Sequence, residues 1–206
     1  LVYISQPTEY GTFYSLQELE ELSAVCRERD LKLFVDGARL AYALASPAND
    51  VTLADLARLT DVFYIGGTKC GSLFGEAVVI PERGSIRQFV TQMKQHGALL
   101  AKGRLLGVQF EALFEDGLYL TIGEPAVKAT ARIREALKRA GYVVTMDSPT
   151  NLTFVALDQA GHERLSDKVR YSIWETLPDG RYLARIGTSW ATPEEDVAAF
   201  EQALAR

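Results

Sequence analysis

The sequence contains little cysteine and no long apolar run, and these absences narrow its class. Its two cysteines, Cys26 and Cys70, are too few and too far apart for a disulfide framework or a metal knuckle. No window approaches the run of about 18 apolar residues that a membrane helix needs, and no charged segment precedes an apolar core at the start. The net charge is only −5 and the basic residues are scattered, so there is no electrostatic footprint for nucleic acid. We therefore expect a soluble protein of the reducing cytoplasm.

The composition favours a globular fold. Of the 206 residues, 48% are apolar and 24% are charged, which suits one large domain or two smaller ones. The chain begins at Leu1 with "LVYISQPTEYGT", an apolar, β-favouring run without an initiator methionine. We interpret Tyr3 and Tyr10 in this run as core or subunit contacts. We also expect the sequence to begin within a domain.

Helix and strand patterns alternate over the first 80 residues. In "YSLQELEELSAVCRERD", Ser15 and Glu18 form a capping box ahead of leucines at helical spacing, and Thr52 and Asp55 mark a shorter helix in the same way. The apolar runs in "LKLFVDGARL", "DVFYI" and "EAVVIP" have the length and composition of strands. This alternation predicts an α/β fold with a mainly parallel sheet covered on both faces, and functional residues at the strand ends.

The second half of the chain has a different pattern. Residues 84–140 show helical spacing throughout, and strand-like pieces follow in "YVVTM", "NLTFVALD" and "RYLARIGTSW". In the closing "TPEEDVAAFEQALAR", Thr192 is the predicted N-cap and Pro193 the first helical residue, with a capping-box acid two positions later. We therefore predict a large domain with its helical connector over residues 1–125, and a smaller α+β domain over residues 126–206.

Two charged residues lie where such a sheet binds ligands. Asp36 ends an apolar strand, where a carboxylate is costly unless a cation or a hydrogen-bond donor meets it. Lys69 follows the next strand within "GGTKCGS", whose glycines would let a flat ligand and its phosphate approach the backbone. The carboxyl ends of parallel strands face one crevice, so the acid and the amine can meet the same ligand. A partly desolvated lysine can act as a nucleophile that forms a Schiff base with an aldehyde.

Pyridoxal phosphate is a cofactor that needs both groups. A lysine holds it as an imine, and a carboxylate beside the ring nitrogen keeps that nitrogen protonated. Asp36 and Lys69 are the candidates, and Ala38 is small enough for the ring to lie against the strand end. Arg39 comes from the same turn, and its guanidinium suits an amino-acid carboxylate. Taken singly, Asp36 could be only a turn former, and "GGTKCGS" lacks the ending of a nucleotide-binding phosphate loop.

The segments "FVDGARLAYAL", "GGTKCGSLFGEAVVI" and "YLARIGTSW" resemble the low-specificity L-threonine aldolases and related β-eliminating lyases. These are pyridoxal-phosphate enzymes of the aspartate-aminotransferase fold, and the match runs from about Gln6 to the C-terminus. The resemblance implies the later part of that fold's large domain followed by its small domain. It also implies pyridoxal phosphate as cofactor, a small amino-acid substrate, and a cytoplasmic homodimer or homotetramer without nucleic-acid or membrane partners.

The resemblance also implies a role for each motif residue. Asp36 would pair with the pyridine nitrogen, and Lys69 would be the Schiff-base lysine. Arg39 and Arg185 would clamp the substrate carboxylate, and Thr68 would lie beside the cofactor phosphate.

The chain departs from the family in two respects. Where many threonine aldolases have an acidic-Asn-Thr-His segment, this chain has "SQPTEYG", so Gln6 and Thr8 would take the cofactor-facing places without the histidine. The family's glycine-rich phosphate loop and the residue that stacks on the ring have no counterpart, so we expect a C-terminal portion of the family's fold.

Three functions are compatible with these residues. The first is aldol cleavage of L-threonine, L-allo-threonine or a similar β-hydroxy amino acid to glycine and an aldehyde. The second is another pyridoxal-phosphate reaction, such as β-elimination, racemisation or transamination. The third is a catalytically incompetent fragment.

Overall fold

The computed structural model describes residues 1–205, which contain two four-stranded sheets and their covering helices. The strands β1 to β8 are, in chain order, Val2–Ser5, Leu33–Asp36, Val62–Gly66, Glu76–Val79, Val143–Val144, Leu152–Leu157, Ser172–Thr176 and Tyr182–Gly187. The helices α1 to α9 are Leu16–Glu28, Leu40–Leu44, Leu53–Leu59, Phe89–Gln95, Arg104–Phe114, Leu118–Thr121, Glu124–Arg139, Gln159–Ser166 and Glu194–Leu204. Within these residues, no helix combines the length and the apolar character needed to span a bilayer.

The first sheet has the strand order β1-β2-β3-β4. Strands β1, β2 and β3 are parallel, and β4 runs antiparallel to β3 at the edge. Val35 of β2 and Phe63 of β3 are buried against Leu19 of α1 and Leu56 of α3. Such sheets need apolar strands because helices cover them. The prediction of a mainly parallel α/β sheet is confirmed.

Two of the three predicted helix caps are present. Ser15 and Thr52 each accept a hydrogen bond from the backbone three residues later, and the acids Glu18 and Asp55 close both capping boxes. The prediction for α9 is wrong, because Pro193 is the N-cap and makes no side-chain cap. The hydroxyl oxygen of Thr192 instead accepts the backbone N–H of Ser189 at 2.8 Å, closing a turn before the helix.

The segment predicted to be helical throughout is broken into separate helices, α4 to α7. Gly97 and Gly117 have φ angles of 70° and 72°, the left-handed conformation that ends helices. The apolar spacing continues across these breaks, which is why periodicity alone did not detect them.

The second sheet is antiparallel, with the order β5-β6-β8-β7. Residues of α7 and α9, including Leu137 and Val197, pack on one face against Val155 and Ala184. Polar bonds connect the two sheets, since the Ser148 hydroxyl donates to the Gly11 carbonyl at 3.0 Å. On the opposite face of the second sheet, Phe154 and Leu183 pack with Tyr10 from the loop after β1.

Candidate active site

A cleft of about 560 Å³ lies between the carboxyl end of the first sheet and the second sheet. Arg39, Thr68 and Lys69 line it from loops that follow β2 and β3, and Arg185 lines it from β8. These four residues were predicted to act together, and they share one cleft although they lie up to 146 positions apart.

Asp36 lies at the end of β2, beside this cleft. Its carboxylate accepts hydrogen bonds from the hydroxyls of Tyr3 and Tyr64 and, at 2.9 Å, from the backbone N–H of Ala38. Partial burial alone would raise the pKa of Asp36, but these three donors and the charge of Lys69 outweigh it and lower the pKa. Asp36 is therefore a carboxylate at neutral pH.

The two tyrosines that hold Asp36 were not predicted. Tyr3 is 56% exposed, so it is not a core residue, and its ring stacks on Phe34 at 5.3 Å. The hydrogen bond to Asp36 is the main cause that raises the pKa of Tyr3 to about 12, while burial and then Asp36 raise the pKa of Tyr64. Both hydroxyls therefore stay protonated donors. The sequence signal was an aromatic residue with a polar tip in each strand flanking the aspartate strand.

Lys69 extends from the loop after β3 with an exposed side chain that has no hydrogen-bond or ion-pair partner within residues 1–205. The sequence predicted that the amine of Lys69 is partly desolvated, but the side chain is exposed in this structure. The backbone carbonyl of Lys69 accepts the hydroxyl of buried Tyr42, whose oxygen in turn accepts the N–H of Trp190 at 3.4 Å. Tyr42 therefore ties the Lys69 loop to the segment after β8.

Glu76 of β4 holds the same loop from the other side. Its carboxylate accepts the backbone N–H of Gly67 at 2.6 Å and the hydroxyl of Thr68 at 3.1 Å. Thr68 thus lines the cleft but is bonded to a carboxylate, which repels a phosphate. Nothing in its hydrogen bonding favours the predicted place beside a phosphate.

Gly66 and Gly67, just before Lys69, lie where a side chain would clash with the rest of the chain. A Cβ on Gly66 would lie 2.4 Å from the Ala38 carbonyl oxygen, and one on Gly67 would lie 2.8 Å from the ring of Phe110. These atoms belong to the protein itself. Gly66 and Gly67 therefore allow the chain to pack closely against itself, and the interpretation that the glycines around Lys69 admit a ligand stays a prediction.

Gln6 and Thr8 lie outside the lining of the cleft. Gln6 is 1% exposed, and its amide donates to the Tyr14 carbonyl and accepts the Tyr14 N–H, both at 2.9 Å. The hydroxyl of Thr8 pairs with that of Thr12 at 2.8 Å. The expectation that these two residues face a cofactor stays a prediction, and in this structure their side chains form hydrogen bonds within the loop after β1.

Arg39 and Arg185 give the cleft its positive charge. Burial, and then the like charge of Arg39, lower the pKa of Arg185, as expected for two guanidinium groups that line one cleft. Neither has a carboxylate partner within residues 1–205, and Arg185 lies over the ring of Trp174. An anion that entered the cleft would offset these like charges, so the arrangement suits a carboxylate ligand.

Comparison with known proteins points to the same family that the sequence motifs resemble. Residues 1–160 match the family model described as Beta-eliminating lyase. The chain is 39% identical over 202 residues to the low specificity L-threonine aldolase of Pseudomonas sp. (strain NCIMB 10558), covering 96% of this chain and 56% of that protein. A solved threonine aldolase of Leishmania major is 46% identical with a TM-score of 0.93, over 100% of this chain and 60% of that one.

A more distant structure supports the fold alone. A mutant aspartate aminotransferase of Thermus thermophilus is 17% identical, with a TM-score of 0.68 over 99% of this chain and 56% of that one. The predicted aspartate-aminotransferase-like fold is thereby confirmed. The chain spans little more than half the length of these relatives.

Proposed function

Because the chain belongs to the beta-eliminating lyase family, we propose that the protein it forms part of is a pyridoxal-phosphate-dependent carbon–carbon lyase. It cleaves L-threonine, L-allo-threonine or a similar β-hydroxy amino acid to glycine and an aldehyde. The observation that carries the proposal is the cleft in which Arg39 and Arg185, without a carboxylate partner among residues 1–205, accompany Lys69 next to ionised Asp36. The likeness to threonine aldolases supports this reaction over others.

Pyridoxal phosphate is the cofactor of this family, and the residues present fit it. Asp36 would hold the ring nitrogen, Lys69 would bind the aldehyde carbon, and Ala38 would lie against the ring. When bound, the protonated ring withdraws electrons from the bond that breaks at the substrate Cα. Thr68, Gln6 and Thr8 are given no role in this proposal, since their hydroxyl and amide groups are paired within the protein.

Asp36 acts by keeping a proton on the ring nitrogen. A carboxylate performs this only while it is itself ionised, and the hydroxyls of Tyr3 and Tyr64 favour the ionised form by donating to it. The two tyrosines therefore support the site without touching the substrate.

Arg39 and Arg185 act by binding and orienting the substrate. Parallel hydrogen bonds from a guanidinium fix the plane of a carboxylate, and the amino group of the substrate is held at the Lys69 side of the cleft. The amino group and the carboxylate are two of the four substituents of Cα, so fixing both also fixes the directions of the hydrogen and the side chain, and with them the bond that is placed to break. The clamp therefore determines the reaction as well as the affinity.

We also propose that the protein is a homodimer or homotetramer in the cytoplasm. We propose further that its large domain ends at residue 125 and its small domain begins at residue 126. Exposed apolar side chains around α5 support an oligomer, because a subunit contact would remove their apolar surface from water. We call this set the α5 surface; it comprises Leu73, Phe74, Leu105, Val108 and Phe114.

The test incubates the full-length protein, loaded with cofactor, with L-threonine, L-allo-threonine and β-chloroalanine. Glycine with acetaldehyde from the hydroxy amino acids is the expected result. Pyruvate with ammonia from β-chloroalanine alone would make the protein a β-eliminating enzyme, and the absence of any product would contradict both. The Lys69→Ala variant is the control, and borohydride reduction of the parent should leave the cofactor on the peptide that contains Lys69.

A further inference from the structure

Arg185 rests on the face of an aromatic ring from the neighbouring strand. Its Cζ atom lies 4.3 Å from the centre of the Trp174 ring. A guanidinium is attracted to the negative face of an indole, which is the best aromatic partner for a cation. A guanidinium that contacts the ring through its central carbon keeps the N–H groups at its edge available to a carboxylate.

Trp174 is the extra residue of a β-bulge. Strand β7 is an edge strand, and its register against β8 shifts by one residue between Ile173 and Glu175. Consecutive residues of a regular strand face opposite sides, yet Trp174 and Glu175 both contact Tyr10. The Tyr10 ring lies 5.9 Å from that of Trp174, and its hydroxyl donates to Glu175 at 3.2 Å. The bulge therefore turns both side chains to the same side.

The Trp174 ring is fixed by its own neighbours. The ring of Phe154 in β6 packs edge-to-face against the Trp174 ring, with 6.3 Å between the ring centroids. The Tyr10 ring packs against both of them. Trp174 is also the one residue of β7 that is not exposed. The ring is therefore a rigid support, held by the second sheet and by the loop after β1.

A packing role alone does not account for this geometry. If Trp174 only covered Phe154, an apolar side chain would be enough at this position. It would not explain why the guanidinium of Arg185 lies over the Trp174 ring. Arg185 and Arg39 line the same cleft, and no carboxylate of residues 1–205 lines it with them. The face of the Trp174 indole is therefore the group that stabilises the positive charge of Arg185 from the side of the second sheet.

We propose that Trp174 is a positioning residue that holds Arg185 in the orientation needed for the α-carboxylate of the amino-acid substrate. The inference rests on the proposed function in one respect, namely that Arg185 binds this carboxylate. Trp174 itself does not line the cleft, so it acts through Arg185.

The kinetic test uses the full-length enzyme loaded with cofactor. In Trp174→Leu, the KM for the amino acid should rise about tenfold with kcat changed less than about twofold, because the guanidinium loses its preorganisation. Trp174→Phe keeps an aromatic face and should raise KM only about threefold. Ile173→Ala on the same strand is the matched control and should leave KM unchanged. An unchanged or lowered KM in Trp174→Leu overturns the proposal.

A binding test separates this inference from the reaction proposed above. Glycine, which has no β-hydroxyl, is titrated into the cofactor-free full-length protein while tryptophan emission is followed. A saturable change that disappears in both Trp174→Phe and Arg185→Met supports the contact, even if threonine proves not to be cleaved. A change that persists in Trp174→Phe, or no change in a parent that cleaves threonine, rejects it. Trp174→Phe also keeps the test decisive if Trp174→Leu fails to fold.

Discussion

At the scale of single residues, the carboxylate of Asp36 is the most densely bonded group beside the cleft. It accepts hydrogen bonds from three donors, which are Tyr3 of β1, Tyr64 of β3 and the backbone N–H of Ala38 in its own turn. Two of them are tyrosine hydroxyls, which give hydrogen bonds without adding a compensating positive charge. Asp36 therefore keeps its negative charge available to a cationic ligand group.

Replacing Asp36 by asparagine should reveal this charge. Asp36→Asn keeps the shape but cannot hold a proton on the ring nitrogen, so we expect kcat of the full-length enzyme to fall about 100-fold, or about 3 kcal/mol of transition-state stabilisation. Steady-state kinetics at saturating cofactor measure the effect. Turnover equal to that of the parent would remove Asp36 from the proposed mechanism.

The bonds to Asp36 should also make stability depend on pH. Its pKa is lowered in the folded protein, so its contribution is present above the ordinary aspartate value of about 3.9 and is lost as the pH falls through the folded value. The difference in unfolding free energy between the parent and Asp36→Asn should therefore be largest at neutral pH and should shrink below about pH 4. Urea unfolding at both pH values measures it.

A matched variant tests the cause of that dependence. Tyr64→Phe removes one donor and should weaken the dependence on pH, since the pKa of Asp36 would move back toward its ordinary value. A difference that stays constant from neutral to acid pH would mean that the folded state does not favour the ionised form.

At the scale of elements, the β3–β4 hairpin presents Lys69. Its antiparallel pairing sets Glu76 opposite Gly66, and the Glu76 carboxylate reaches forward to Gly67 and Thr68. The loop is thereby closed by a residue of the returning strand. A regular β–α connection of the first sheet would offer no such side chain.

Removing this closure should loosen the loop that bears Lys69. Glu76→Ala leaves the Gly67 N–H unpaired, and we expect the dissociation constant for cofactor to rise about tenfold, corresponding to one charge-assisted hydrogen bond. Thr68→Val removes only the longer bond and should have a smaller effect. Equilibrium titration of the apoprotein measures both, and equal affinities in Glu76→Ala and the parent would contradict this account.

At the scale of the whole molecule, the α5 surface is a set of apolar side chains that stay exposed within residues 1–205. Leu73 is 86% exposed, and its backbone N–H donates to the side-chain oxygen of Gln109 in α5 at 2.7 Å, which ties the Leu73 loop to this helix. Burying the α5 surface in a subunit contact would remove its apolar area from water.

We therefore expect light scattering to give a molar mass for the full-length protein that is a multiple of its monomer mass. Leu105→Glu should reduce that mass, because a charge in an apolar contact is costly. Val25→Glu, at another exposed apolar position on α1, is the control and should not reduce it. A monomer with full activity at low concentration would contradict the proposed oligomer.

Much of the site could be predicted because its chemistry is encoded locally. Asp36 ends an apolar strand, Arg39 and Lys69 each lie three residues past a strand end, and strand ends meet at one edge of a parallel sheet. Gln6 and Thr8 were predicted from their position in a family segment, and their pairing with Tyr14 and Thr12 is a loop contact that has no periodic signal.

The sequence by itself determined the alternation of strands and helices, the capping boxes of α1 and α3, and the family motifs, since each depends on neighbours a few positions apart. Only the tertiary structure decided which distant side chains meet. Tyr3 and Tyr64 reach Asp36 because β1 and β3 flank β2, and Trp174 reaches Arg185 through a bulge in β7. Strand order and register fix these contacts, and both follow from packing over the whole chain and not from any local pattern.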